Sequence, residues 1–243
     1  ITALLLAMIL PPSISLDSAA IGAVVAISLG KQVFGGLGYN IFNPALVGRA
    51  FLQTAFPVAM TTWVPTAALK VNTATFATPL GALKFENAVA QGTLTSVKDL
   101  FSGNIGGSLG ETSALALLLG AVILLCKRTI DWRIPTGIIG TMTVFTGIFW
   151  LAEPGKYAPP LFHILAGGLL IGAFFMATDM VTSPVTPKGT WIYAVGIGLM
   201  AGLVRLFGGF PEGVMYSILF MNMFVPLLNR YTRPRILGQR RAK

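Results

Sequence analysis

Long apolar segments, most of them closed by glycine, proline or charge, constrain this chain more than any other feature. They cover roughly 1–10, 18–34, 44–58, 110–126, 134–151, 161–181, 189–206 and 213–229. Charged residues make up only 10% of the chain against 54% hydrophobic, where a soluble domain of this size carries about 25% charged residues. That excludes an ordinary water-soluble enzyme. The expected fold is an all-α integral membrane protein, a multi-span helical bundle, because helices satisfy their own backbone groups in lipid. Residues 1–10 amount to half a span that starts at Ile1, with no charged leader and with Pro11-Pro12 behind it. They read as the end of a helix that begins upstream, not as a signal peptide.

Charge placement gives the topology. The net charge of +9 is carried at segment ends, with Arg230, Arg233, Arg235, Arg240, Arg241 and Lys243 in the tail 230–243. Such clustering points to membrane orientation and not to nucleic acid. The loop Lys127-Arg128-Thr129-Ile130-Asp131-Trp132-Arg133 and the tail are both expected on the cytoplasmic face. The crossings between them are even in number, so the two anchors agree. Residues 60–110 then lie outside. Lys31 and Arg49 are expected near the cytoplasmic interface as anchors.

Shifting the chain by 173 positions lays Phe34-Gly35-Gly36 on Phe207-Gly208-Gly209 and Pro11 on Pro184. By the crossing count the two copies are inverted, and the Gly/Asn/Pro run at 35–44 reads either as a broken helix beside a site or as a simple re-entrant packing element. Inverted-topology repeats with broken helices place substrate or cofactor sites at the repeat interface. The expected division is one membrane domain over 1–243. It comprises first-repeat spans at 1–59, an outer-face loop at 60–110, the remaining spans with the second repeat at 111–229, and the basic cytoplasmic tail.

The chain has one cysteine and one histidine, Cys126 and His163. It therefore cannot build a four-cysteine iron–sulfur or zinc site, a bis-histidine haem or an internal disulfide. Both residues read as structural. The glycines at 103, 106, 107 and 110 make no phosphate loop, since no Gly-Lys-Ser/Thr follows them. Asp179 is either an ion-coupling carboxylate or a helix-end group bonded to Thr178, Thr182 or Ser183. Glu111-Thr112-Ser113 opens a helix as its cap or contacts a cofactor. Within the outer loop, Thr78 precedes Pro79, which holds it extended; taken alone it is an ordinary Thr-Pro turn.

Several motifs stand together in order: Phe34-Gly-Gly-Leu-Gly-Tyr-Asn-Ile-Phe-Asn-Pro-Ala45, Gly48-Arg49-Ala50-Phe51, Ala77-Thr78-Pro79-Leu80, Gly107-Ser-Leu-Gly-Glu-Thr-Ser113, Ala177-Thr178-Asp179 and Tyr231-Thr-Arg-Pro-Arg235. With them the chain resembles the D subunit of the Rnf electron-transport complex and, more distantly, the B subunit of the sodium-pumping NADH:quinone oxidoreductase. The resemblance runs to about Gly238. It implies a flavin, FMN, joined through its phosphate to Thr78 as a phosphodiester, with Thr75 and Ala77 matching the attachment motif. Phe76 and Asn72 depart from that motif. Glu111, Thr112 and Ser113 are carried as flavin contacts and Asp179 as an ion-coupling residue. No catalytic residue and no metal ligand is implied within this chain.

The resemblance further implies a subunit of an ion-translocating ferredoxin:NAD oxidoreductase in the cytoplasmic (inner) membrane. Its expected partners are lipid, a second flavinylated subunit and iron–sulfur subunits. A second, non-covalent flavin (riboflavin) among the helices stays open, as does the choice of Na⁺ or H⁺. Two other functions fit the apolar pattern: a channel or secondary transporter for a small solute, and a structural anchor for soluble subunits.

Overall fold

A computed structural model describes residues 1–63, 77–86 and 88–234. Among these residues the chain is helical throughout and contains no strand. The expected all-α bundle is what forms.

The elements are α1 (Thr2–Met8), α2 (Leu16–Ile27), α3 (Pro44–Ala55), α4 (Pro57–Thr61), α5 (Pro79–Phe85), α6 (Ala88–Gln91), α7 (Val97–Ser102), α8 (Ala114–Cys126), α9 (Arg133–Ala152), α10 (Pro160–Leu165), α11 (Leu169–Ile171), α12 (Pro187–Phe207) and α13 (Val214–Tyr231). Many start where the sequence supplies a cap. Ser15, Asn43, Thr78, Ser96, Ser113 and Thr186 each accept a hydrogen bond from a first-turn amide, and proline follows at N1 in α3, α5 and α12. At 20 and 21 residues, α9 and α12 each reach about 30 Å, the thickness of a hydrocarbon core. Their outward side chains, Val144, Ile148, Val195 and Leu199 among them, are apolar and exposed. An exposed face of that kind belongs in lipid.

Small residues let the long helices touch. A Cβ on Gly198 of α12 would fall 2.8 Å from the Ile138 carbonyl of α9, and one on Gly22 of α2 would fall 2.4 Å from Leu52 of α3. Such close backbone approach is the usual packing device of helices in a membrane. Both α2 and α11 run into a π-helical turn, Ser28–Gln32 and Gly172–Met176, closed by the i→i−5 bonds Val33 N–H to Ser28 and Ala177 N–H to Gly172.

Segment 161–181 is not one helix. After α10 the backbone becomes extended at Ala166 (φ −86°, ψ 135°) and left-handed at Gly167 (φ +67°) before α11 resumes. Only glycine takes that conformation without strain. The break sets Gly167 and Gly168 against the charged centre set out below. The described part of the outer-loop segment is built on short helices, and the amides of Leu109 and Gly110 donate to the carbonyls of Leu10 and Met8, tying it to the end of α1.

Candidate functional site

Thr78 is placed by its own sequence. Pro79 holds it extended (φ −62°, ψ 155°), its hydroxyl oxygen accepts from the Gly81 amide at 3.1 Å, and α5 starts there. The residue is only 6% exposed, yet it faces a cavity of about 370 Å³. Arg49 and Gln53 of α3, Met60 of α4, Trp63, Phe85 of α5, and Phe210 and Glu212 of the α12–α13 loop form much of its wall. Aromatic walls with a few convergent polar groups describe a small-molecule site.

Beneath the cavity lies a buried charge centre. The two terminal nitrogens of Arg49 each hold a carboxylate oxygen at 2.9 Å, one of Glu111 and one of Glu212. Arg205, near the end of α12, donates to the backbone carbonyls of His163 and of Ala166, the latter at 3.1 Å. Those carbonyls lose their helical partners where α10 breaks, so the guanidinium replaces the missing amide donors. Gly168 is required here too, since a Cβ would lie 2.7 Å from Glu111 Oε1. Lys84 of α5 caps α12: its ammonium donates to the carbonyls of Val204, Arg205 and Phe210 at 3.0, 3.2 and 2.9 Å. That places a cation at the negative end of the helix dipole, where it adds to the Gly208 amide bond at Val204 and ties the following loop at Phe210, and burial holds the Lys84 ammonium pKa below its usual value.

The expected site residues divide. Thr78 and Ala77 line the cavity, and Thr78 and Glu111 line a second, smaller chamber behind it. Thr75 lies outside the described residues. Ser113 is the cap of α8, accepting from Ala116 N–H at 3.3 Å, and Thr112 is half-buried beside it. Asp179 lies away from this cavity and accepts from the Thr182 hydroxyl at 3.2 Å, as a helix-end carboxylate does. His163 is buried, with neither ring nitrogen hydrogen-bonded among the described residues; Cys126 is free and exposed.

Arg49 corrects an expectation. It is not an interfacial anchor but is 7% exposed and paired on both sides, because its carboxylate partners lie 62 and 163 residues further along the chain. Sequence reasoning also passed over Arg205, Glu212 and Lys84. A signal was present for Arg205, since an arginine inside an apolar span is costly and seeks buried partners.

The pocket fits an aromatic, phosphorylated cofactor on three counts. Thr78 supplies a hydroxyl at the wall, Trp63, Phe85 and Phe210 supply ring faces, and Arg49 and Gln53 supply donors. The volume lies within the usual range for small-molecule sites, about 300–1,000 Å³.

Across 99% of its length the chain is 49% identical to the D subunit of the proton-translocating ferredoxin:NAD(+) oxidoreductase complex of Clostridium ljungdahlii, of which it covers 74%. Over its full length it is 45% identical to the D subunit of the Na(+)-translocating ferredoxin:NAD(+) oxidoreductase complex of Acetobacterium woodii, covering 73% of that protein. It is also 39% identical, over 98% of its length, to the D subunit of the ion-translocating oxidoreductase complex of Halorhodospira halophila, covering 74%. With the NQR2, RnfD, RnfE family profile matching residues 1–238, the chain belongs to that family of membrane proteins.

Proposed function

We propose that this chain is the D-type membrane subunit of an ion-translocating ferredoxin:NAD oxidoreductase complex, and that it carries electrons through FMN esterified to Thr78. The observation that carries the proposal is the position of Thr78: a proline-fixed hydroxyl at the wall of an aromatic-lined cavity of about 370 Å³, in a chain with one cysteine and one histidine. Bound FMN supplies one- and two-electron transfer, which no side-chain set here provides.

The protein's own residues supply position and environment. Thr78 fixes the point of attachment, Trp63, Phe85 and Phe210 exclude water from the walls, and Gln53 and Arg49 present donors. Arg49 is held rigid by two carboxylates, so its field at the cavity needs no reorganisation when charge arrives.

The finer architecture supports the same assignment. Gly22 of α2 packs on α3 and Gly196 of α12 packs on α13, where a Cβ would lie 2.6 Å from Met221, as expected if the two Phe-Gly-Gly helices are equivalent members of inverted repeats. In the proposed orientation the Thr78 loop faces outward and the basic loop at 127–133 faces the cytoplasm. The complex's other partners in the proposal are a second flavinylated subunit and iron–sulfur subunits. The relatives are named for different coupling ions, the proton in one and sodium in the other, so either ion is compatible with the same membrane subunit.

The test is a Thr78→Val variant in the intact complex. The complex is expected to assemble, while this subunit loses its flavin fluorescence on a denaturing gel and its flavin-bearing peptide in the mass spectrum. A flavin retained on a peptide of this subunit would sink the assignment and direct attention to Thr75.

A further inference from the structure

Two spaces meet at Thr78. Besides the large cavity there is a chamber of about 10 Å³ behind it, lined by Thr78, Gly106, Gly107, Gly167, Glu111 and Glu212, about the room one water molecule occupies. Thr78 and Glu212 line both spaces, whereas Glu111 lines only the inner one. Their accessibilities follow: the Glu111 side chain is 2% exposed and that of Glu212 is 20%.

Glu111 Oε1 is bonded to Arg49, but Oε2, on the same buried carboxylate, has no hydrogen-bond partner among the described residues. A buried carboxylate oxygen left so is costly unless a proton or a water meets it. The other cation at hand, Arg205, gives its terminal donors to backbone carbonyls and not to either carboxylate. Two carboxylates therefore share one guanidinium.

We propose that Glu111 and Glu212 form a proton-holding pair beneath the Thr78 cavity, in which Glu212 takes up a proton from the cavity when negative charge enters it and releases that proton when the charge leaves. The step is a protonation only: one proton from cavity water binds a Glu212 carboxylate oxygen, giving the neutral acid, and returns to water on reversal. The electron that drives it is the one carried by the complex. It rests on the cavity's being the electron-carrying site argued above.

Geometry makes Glu212 the exchanging member and Glu111 the fixed one. Glu212 opens to the cavity; Glu111 is sealed behind it. Two carboxylates in one site cannot both ionise freely, and one of them keeps its proton to higher pH. Burial, then the charge of Glu111, pushes Glu212 up to about 7, against the opposing pull of Arg49 and Arg205. The charged neighbours that enter this balance are Glu111 from the segment before α8, Arg49 from α3 and Arg205 from α12; Lys84 from α5, His163 from α10 and Tyr216 from α13 lie one step further out, against Arg205 or Arg49. Lys84 is committed to carbonyls of α12 and its loop, and the ring nitrogens of His163 have no hydrogen-bonded partner among the described residues. Neither is placed to replace Glu212 as the acid.

The experiment is infrared difference spectroscopy on the intact complex, with two readouts. In the first, the pH is stepped from about 5 to 9 in the Thr78→Val complex, which by the proposal lacks flavin on this subunit. A protonated-carboxyl band that disappears as the pH rises, shifts in heavy water and is lost in the Thr78→Val/Glu212→Gln double variant is expected. In the second, the potential of the flavin on this subunit is measured against pH in the otherwise native complex and in Glu212→Gln. The native potential falls with pH, and Glu212→Gln flattens most of that slope, while Glu212→Asp restores part of it.

Absence of the carboxyl band, or a band that survives Glu212→Gln, overturns the pair. So does an unchanged slope in Glu212→Gln. If Glu212→Gln fails to assemble, the band in the assembled Thr78→Val complex decides alone. Failure of the electron-carrier assignment is told apart by mass spectrometry: a peptide without flavin sinks that assignment, whereas a flavin-bearing peptide with no carboxyl response sinks only the proton pair.

Discussion

Replacing Arg49 with Met removes the guanidinium that holds Glu111 and Glu212, at 2.9 Å each, and leaves two carboxylates around a volume of similar size. Breaking a buried ion pair from one side costs about 3–5 kcal/mol, because the abandoned charge stays buried. Glu212 is one-fifth open and regains some hydration, which puts the expected loss at the lower end, about 3 kcal/mol, or roughly 10²-fold in the folded-to-unfolded ratio. The loss should depend on pH with a defined sign. Without the guanidinium, burial and repulsion raise the folded-state pKa of Glu212 still further above the unfolded carboxylate value of about 4.3. Stability is then full below that value and is lost as pH rises through the folded pKa. The Arg49→Met deficit should therefore be small near pH 5 and large near pH 8. The assay is heat-induced loss of the detergent-solubilised complex from its size-exclusion peak, scored at both pH values. Arg49→Met/Glu212→Gln should recover part of the loss, since the pair is coupled. A variant as heat-resistant as the native protein at pH 8, or strict additivity in the double variant, would refute the argument.

Other outcomes are expected from the same geometry. Gly167→Ala puts a Cβ at φ +67°, 2.5 Å from Leu80 and 3.3 Å from Glu212, and should cost about 1–3 kcal/mol, read as a lower melting midpoint, whereas Gly140→Ala, which meets nothing within 4 Å, should be close to neutral. Lys84→Met removes the side-chain donor from the Arg205 and Phe210 carbonyls and leaves Val204 only its bond from the Gly208 amide; a loss of about 1–3 kcal/mol should appear with faster amide exchange at Gly208. A cysteine at the exposed Gln91 should react with an impermeant maleimide added to intact cells, and labelling only after lysis would reverse the proposed orientation.

The sequence by itself determined the fold class, part of the chemistry that is excluded and the start of α8. Apolar runs of this length with 10% charge call for membrane helices, and one cysteine with one histidine rules out a four-cysteine iron–sulfur or zinc site and a bis-histidine haem within the chain. Capping is local, so the cap at Ser113 is legible from neighbouring residues alone, whereas Thr78-Pro79, which reads as a turn, starts a helix. Ordered motifs made the family legible.

What the tertiary structure decided is which charges meet. Arg49 looked like an anchor at the end of a span, yet its partners are Glu111 and Glu212, on elements far along the chain. Periodicity reports which face of one helix is apolar, but a pairing across 163 residues depends on how several helices cross. The break in 161–181 was hidden for a related reason. Gly167-Gly168 inside an apolar run is tolerated in a straight membrane helix; here Arg205 from α12 replaces the donors lost at the carbonyls of His163 and Ala166. Only the packed bundle brings that guanidinium to the break and so makes the kinked backbone stable.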